Sequence, residues 1–196
     1  MSEYTAIRAV TRSLRELLRQ NITLSSDPEL TGVQIDLRSP KEMREDSEAR
    51  GVSLWLYRVV RNGHLLNHPP DRDAINRMQG WALPINLYYL VTPIAATSDD
   101  EQLLLGRVLQ VFNDHATLRG ALLIDALQNG PEEFRLTLEP LSLEELTRVW
   151  DALKEPYQVS VSYVVQVVRI DSAEEPAGVS PVTSLETEVL QIKAVG

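Results

Sequence analysis

The sequence predicts an α+β fold: a mixed, mostly antiparallel sheet with long strands, covered by amphipathic helices. Three observations carry that reading. Residues 157–170 (YQVSVSYVVQVVRI) set Tyr157, Val159, Val161, Tyr163, Val165 and Val167 on one face at period two. Gln158, Ser160, Ser162 and Gln166 dominate the other face, which turns apolar at Val168 and Ile170. At ~3.3 Å per residue such a strand reaches roughly 45 Å, so it needs a sheet beside it and helices over it. Residues 52–60 and 81–92 carry two further β-type runs. Helical apolar spacings recur near residues 3–20, after residue 98 and after residue 142.

In chain order, residues 3–20 form the first helix, with Tyr4, Ile7, Val10, Leu14, Leu17 and Leu18 on one face and Ser2 as N-cap. Arg8, Arg12, Arg15 and Arg19 take the other side. A basic face can bind a membrane or an acidic partner, but with Glu16 among the arginines a solvated face is the simpler reading. Residues 32–37 (GVQIDL) read as a short strand that Pro40 stops, and the charged run 41–50 as an exposed loop or short helix. Residues 52–60 (VSLWLYRVV) are apolar on both faces, which suits a central strand. Residues 61–80 form a polar connection. Residues 81–92 form the third strand, where Pro84 implies an edge position or a late start.

A capping box at Ser98–Glu101 opens a helix bearing Leu104, Leu105, Val108, Val111 and Phe112. A second helix is expected over 117–128, stopped by Asn129-Gly130-Pro131, then a short strand over 134–138. The capping box at Ser142–Glu145 opens a helix with Leu143, Leu146, Val149, Trp150 and Leu153 on one face, ended by Pro156. Residues 171–180 are a linker by composition, and 188–195 (EVLQIKAV) regain strand character. The expected division is a domain over 1–172 and a linker and C-terminal arm over 173–196.

With 196 residues and 43% hydrophobic content, one ordinary core is within reach. A formal net charge of −9 argues against a nucleic-acid partner held by a broad basic surface, and against docking on anionic lipid. The absence of Cys removes disulfides, thiol nucleophiles and Cys-ligated metal. No apolar run reaches the ~18–20 residues of a membrane span, so no direct membrane insertion is expected. The early arginines interrupt any signal-peptide core.

His64 and His68, with Asp71 and Asp73 close behind, have the residue types of a zinc site. Pro69-Pro70 and the Asn62-Gly63 turn argue against the helix that would bring the histidines to one face. His115 beside Asp114 suits a helix C-terminus. Glu144 and Glu145 suit a helix start, and Ser160 and Ser162 lack a nucleophile elbow. No phosphate-binding glycine loop occurs. Trp55, Trp81 and Trp150 lie on apolar periods and read as core. Each constellation prefers a structural role, so no cofactor and no catalytic residue are expected.

Several segments together resemble one family: YTAIRAVTRSLRELL, SPKEMRE, VSLWLYRVVRNGHLLN, LPINLYYLVTP, LLLGRVLQVFNDHATLRGALL and LSLEELTRVWDALKEPYQVSVSYVVQVVRID. In that order and spacing they look like the N-terminal domain of the cap, or tail-terminator, proteins of extracellular contractile injection systems of the antifeeding-prophage and Photorhabdus-virulence-cassette type. The likeness spans roughly residues 1–172. It implies a tail-terminator-like fold and a non-enzymatic structural cap, a homo-oligomer, as a hexameric ring, that ends inner-tube growth and anchors the last sheath layer. Its partners would be sheath and inner-tube proteins, engaged by strand addition at an exposed edge. It implies assembly in the bacterial cytoplasm into a phage-tail-like particle that can be released. The alternative is an assembly adaptor or chaperone absent from the finished particle. In either case Val189, Leu190, Ile192 and Val195 of the arm are the expected oligomer or partner contacts.

Overall fold

The amphipathic opening pattern produces α1 (Ala6–Leu18), whose Ala6, Ala9, Val10, Leu14, Leu17 and Leu18 are buried. Tyr4, expected on the same stripe, stands 83% exposed ahead of the first turn. Thr5 holds the N-cap position without a side-chain cap bond; Ser2 lies outside the described residues. The computed structural model describes residues 4–46, 50–65, 77–78, 82–173 and 177–178. After α1 a π-turn over Arg19–Thr23 buries Ile22. The chain then runs through β1 (Gln34–Asp36), α2 (Pro40–Arg44), β2 (Gly51–Arg61), β3 (Arg77–Met78), β4 (Leu83–Ile94) and α3 (Ser98–Asp114). It continues through β5 (Thr117–Arg119), β6 (Glu133–Glu139), α4 (Leu143–Leu153), β7 (Val161–Ile170) and β8 (Ala177–Gly178).

One six-stranded sheet has the order β1-β2-β4-β7-β6-β5. Its β1–β2 pair is parallel and the other pairs are antiparallel. A separate two-stranded ladder joins β3 and β8. One sheet face buries Leu54, Leu87, Tyr89, Val91, Tyr163 and Val165 in the same apolar cluster as α1 and α3. There the Tyr89 hydroxyl shares a 2.7 Å hydrogen bond with Thr11 of α1. The alternate residues, among them Leu90, Ser162 and Val164, are also buried, on the opposite face. α2 packs against β2 and β4. Trp150 of α4 is buried, its Nε1–H donating to Ser160 Oγ at 3.1 Å. Both faces are thus covered, as the doubly apolar run of β2 requires.

Two bulges change strand phase. Between Leu56 and Arg58 the register skips Tyr57, and between Val165 and Val168 β7 carries one residue more than β4. The second explains why apolar character in 157–170 switches from odd to even positions, with Val168 buried beside Ile85.

Several sequence expectations are corrected. β4 is central, so Pro84 marks a late start and not an edge. It is the second residue of the strand, and its carbonyl accepts from the Asn62 N–H at 2.8 Å. The helix expected over 117–128 is instead β5 followed by two 3₁₀ turns, Gly120–Leu122 and Asp125–Leu127. Gly120 at φ +56° and Asp125 at φ +55° break any helix there, yet Leu118, Leu123 and Leu127 are still buried. The long strand begins at Val161, not Tyr157, and Tyr157 and Val159 are exposed. The cap of α3 is Thr97, one residue before Ser98, with Thr97 Oγ1 accepting from the Asp100 N–H at 3.2 Å. Pro40 opens α2 behind a capping box of Ser39 and Glu42. The box at Ser142 and Glu145 is as expected, and α4 stops at Lys154, which is left-handed at φ +57°.

Candidate assembly surface

Most of the candidate side chains among the described residues are held in structural bonds. His64 is exposed in a 3₁₀ turn, its backbone N–H donating to Asn62 Oδ1 at 3.1 Å. His68, Asp71 and Asp73 lie outside the described residues. Among the described residues no three His, Asp or Glu side chains gather as metal ligands. His115 follows the end of α3, with Nδ1 2.9 Å from the Val111 carbonyl oxygen. Ser160 is bound to Trp150, and Ser162 Oγ lies 3.0 Å from the Tyr57 hydroxyl. Glu145 receives the Ser142 backbone N–H at 2.9 Å, and that bond holds its carboxyl below the usual range. Glu144 pairs with Arg148 at 2.7 Å. The arginine face of α1 is exposed, with Arg12 on Asp125 and Arg19 on Glu16, which fits the solvated reading.

What the fold does present is unpaired backbone. β1 covers β2 only from Gly51 to Ser53. Over residues 54–61 no described strand pairs with the outer edge of β2. At the other end, β5 covers β6 from Glu133 to Arg135, and the Leu136 N–H still donates to the Ala116 carbonyl at 2.8 Å. Residues 137–139 then have no described strand outside them. Each free edge begins beside a groove. The first, ≈480 Å³, is lined by Arg15, Asp36, Arg38, Glu42 and Trp55. Arg38 forks onto Asp36 at 2.6 and 2.8 Å and holds that carboxyl below its usual value. The second, ≈660 Å³, is lined by Leu109, Phe112, Arg135, Leu138 and Tyr163. Its floor is the edge-to-face pair Phe112–Tyr163, centroids 4.8 Å apart, and Leu138 on its rim is 48% exposed.

The bulge at Tyr57 shapes the first edge. Freed from the register, Tyr57 packs against Trp55 and Tyr88 at centroid distances of 6.2 and 6.5 Å, and Arg58 lies 5.0 Å over the Tyr88 ring. Burial pushes the Tyr57 hydroxyl pKa up, opposed by its bond to Ser162. Past this cluster Arg58, Val59 and Arg61 are exposed. Sequence reasoning offered the Pro84 strand as a candidate edge, whereas that strand is central, and did not single out the outer edge of β2. The signal was the run 58–61, where an apolar strand ends in arginines. The expected contacts Val189, Leu190, Ile192 and Val195 lie outside the described residues, as does Trp81.

Among the described residues, the fold presents short edge strands and unpaired edges beside two grooves. This is the fold of tube-terminator subunits. The chain is similar over 100% of its length to 67% of the solved sheath/tube terminator of the PVC extracellular contractile injection system in its extended state, at 19% identity and TM-score 0.65. It is similar over 92% of its length to 60% of the solved tube-terminating cap of the anti-feeding prophage, at 19% identity and TM-score 0.59. No curated protein matches it. Residues 9–184 match the Pvc16 N-terminal domain, and the chain belongs to that family. No helix among the described residues is long and apolar enough to cross a membrane.

Proposed function

We propose that this chain is a structural cap of a contractile, phage-tail-like injection particle. It forms a ring, a hexamer of identical subunits, that ends growth of the inner tube and anchors the last sheath layer. It works without catalysis, is assembled in the bacterial cytoplasm, and leaves as part of the particle. The observation that carries this reading is the match of its whole fold to a sheath/tube terminator, together with its family. The open edges and grooves support it: sheath or tube segments can add to free strand edges, and a ring covers edges that would otherwise aggregate. The arm residues Val189, Leu190, Ile192 and Val195 contribute to contact between subunits.

Electron microscopy of the purified protein, alone and mixed with sheath subunits, tests this. Six-fold rings, and rings on particle ends, are the expected result. Deleting the gene should give tubes of uncontrolled length or unstable sheaths; normal, length-controlled particles without this chain would end the proposal. Mass spectrometry of purified particles separates a cap, which is retained, from an assembly chaperone, which is not.

A further inference from the structure

We infer that the free outer edge of β2, residues 54–61, receives residues 188–195 of a second copy of this chain as an added antiparallel strand. The inference rests on the ring reading and names the contact that closes it.

Four observations point to this occupant. The first is length. The free edge of β2 spans as many residues as the arm, whereas the free edge of β6 is only residues 137–139, too short to pair it. The second is pattern. In 188–195, Leu190, Ile192 and Ala194 share one face at period two, and Gln191 and Lys193 share the other with Val189 and Val195. That suits a strand with one apolar face, laid on the side of the sheet that carries Leu54, Leu56 and Val59.

The third is charge. The protein carries a net −9, so copies repel in general, yet the free end of β2 is basic at Arg58 and Arg61 and the arm is led by Glu186 and Glu188. An antiparallel register brings the acidic lead to the arginines. The fourth is direction. The end of β7 pairs with the start of β4, Ile170 beside Leu83, and Pro84 in turn binds Asn62, just past β2. The chain therefore leaves the sheet at the end where the arginines stand. Residues 179–187 (VSPVTSLET) contain no Gly, Asn or Asp to reverse it, and Pro181 biases Ser180 toward extended geometry. The ten steps from Gly178 to Glu188 can span at most about 33 Å, enough to reach the edge of a neighbouring copy.

The natural chain has no cysteine, which makes the test direct. One preparation carries Val59→Cys; another, fused to a size tag, carries Leu190→Cys or Ile192→Cys. The two are mixed and mildly oxidised, and the expected result is a disulfide-linked heterodimer. Ile192→Pro, placed in the Cys-arm chain at Leu190→Cys, should abolish the crosslink. On its own it should weaken self-association at least about tenfold while leaving circular dichroism unchanged, because proline cannot donate to the ladder. No crosslink at either arm position overturns the assignment. So does a crosslink confined within one chain of the double variant Val59→Cys/Ile192→Cys. Rings that persist by sedimentation without the crosslink leave the cap reading standing and remove this one; a protein that never self-associates removes both.

Discussion

Trp150 is the side chain on which α4 depends. It is the one fully buried residue of that helix, while Leu143 at the other end is 66% exposed. Indole burial removes ~200 Å² of mostly apolar surface, an upper estimate of about 5 kcal/mol at ~25 cal/mol per Å². Large-to-small core substitutions of this type cost roughly 3–5 kcal/mol. An isolated helix of 11 residues is marginal in water. The ion pair of Lys41 with Glu155, at 3.4 Å and partly exposed, adds little. Trp150→Ala should therefore release α4 while α1, α3 and the central strands hold. Hydrogen exchange read by mass spectrometry should show residues 143–153 exchanging like unfolded chain, with β4 and β7 still protected. Trp150→Phe should cost less, about 1–2 kcal/mol, mainly by leaving Ser160 without its donor. If α4 keeps its protection in Trp150→Ala, or if β4 and β7 lose theirs equally, the single-anchor argument is wrong.

Three further outcomes follow from buried groups. Thr92 is fully buried, and its hydroxyl has no hydrogen-bond partner among the described residues; Thr92→Val should raise stability by about 1 kcal/mol in urea unfolding, and a loss would show a missed partner. Burial raises the Tyr89 pKa, with the Thr11 bond opposing, and Tyr163 and Tyr57 shift the same way, also by burial. Below pH ~10 the folded and unfolded tyrosines are both neutral; above it the unfolded chain releases protons that the fold retains, so stability falls with rising pH. Tyr89→Phe should lower stability by ~1 kcal/mol at pH 7 but flatten that alkaline fall, measured as urea midpoints at pH 7 and above pH 10, and an unchanged slope would contradict it. A Cβ on Gly51 would meet the Gln34 carbonyl oxygen, so Gly51→Ala should free β1 at a cost of ~1–3 kcal/mol. Limited proteolysis should then cut near residues 34–36 with β4–β7 intact, and full resistance there would count against the close approach.

The elements with a sustained period were legible in the sequence: α1, α3, α4, β2 up to its bulge at Tyr57, and the body of β7. Failures came where a three-dimensional partner overrode a local pattern. Leu123 and Leu127 have the i, i+4 spacing of a helix, but β6 holds Leu118 in a ladder and the positive-φ residues Gly120 and Asp125 break the turns that a helix would need. Pro84 reads as an edge residue because proline cannot pair fully, yet at the second position of β4 little pairing is lost. The exposed Tyr157 and Val159 continue the β7 alternation in sequence although no described strand pairs with them. The assembly surface was least legible, since a free edge is defined by where a neighbouring strand stops, and only the sheet shows that β1 ends opposite Ser53.

The displaced Tyr57 has a mechanical consequence. Its hydroxyl meets Ser162 of β7, although β4 lies between the two strands. β2 and β7 are therefore cross-braced by a side chain as well as joined through the intervening backbone. A tug applied at the rim of β2 is shared with the middle of the sheet before any single ladder must slip.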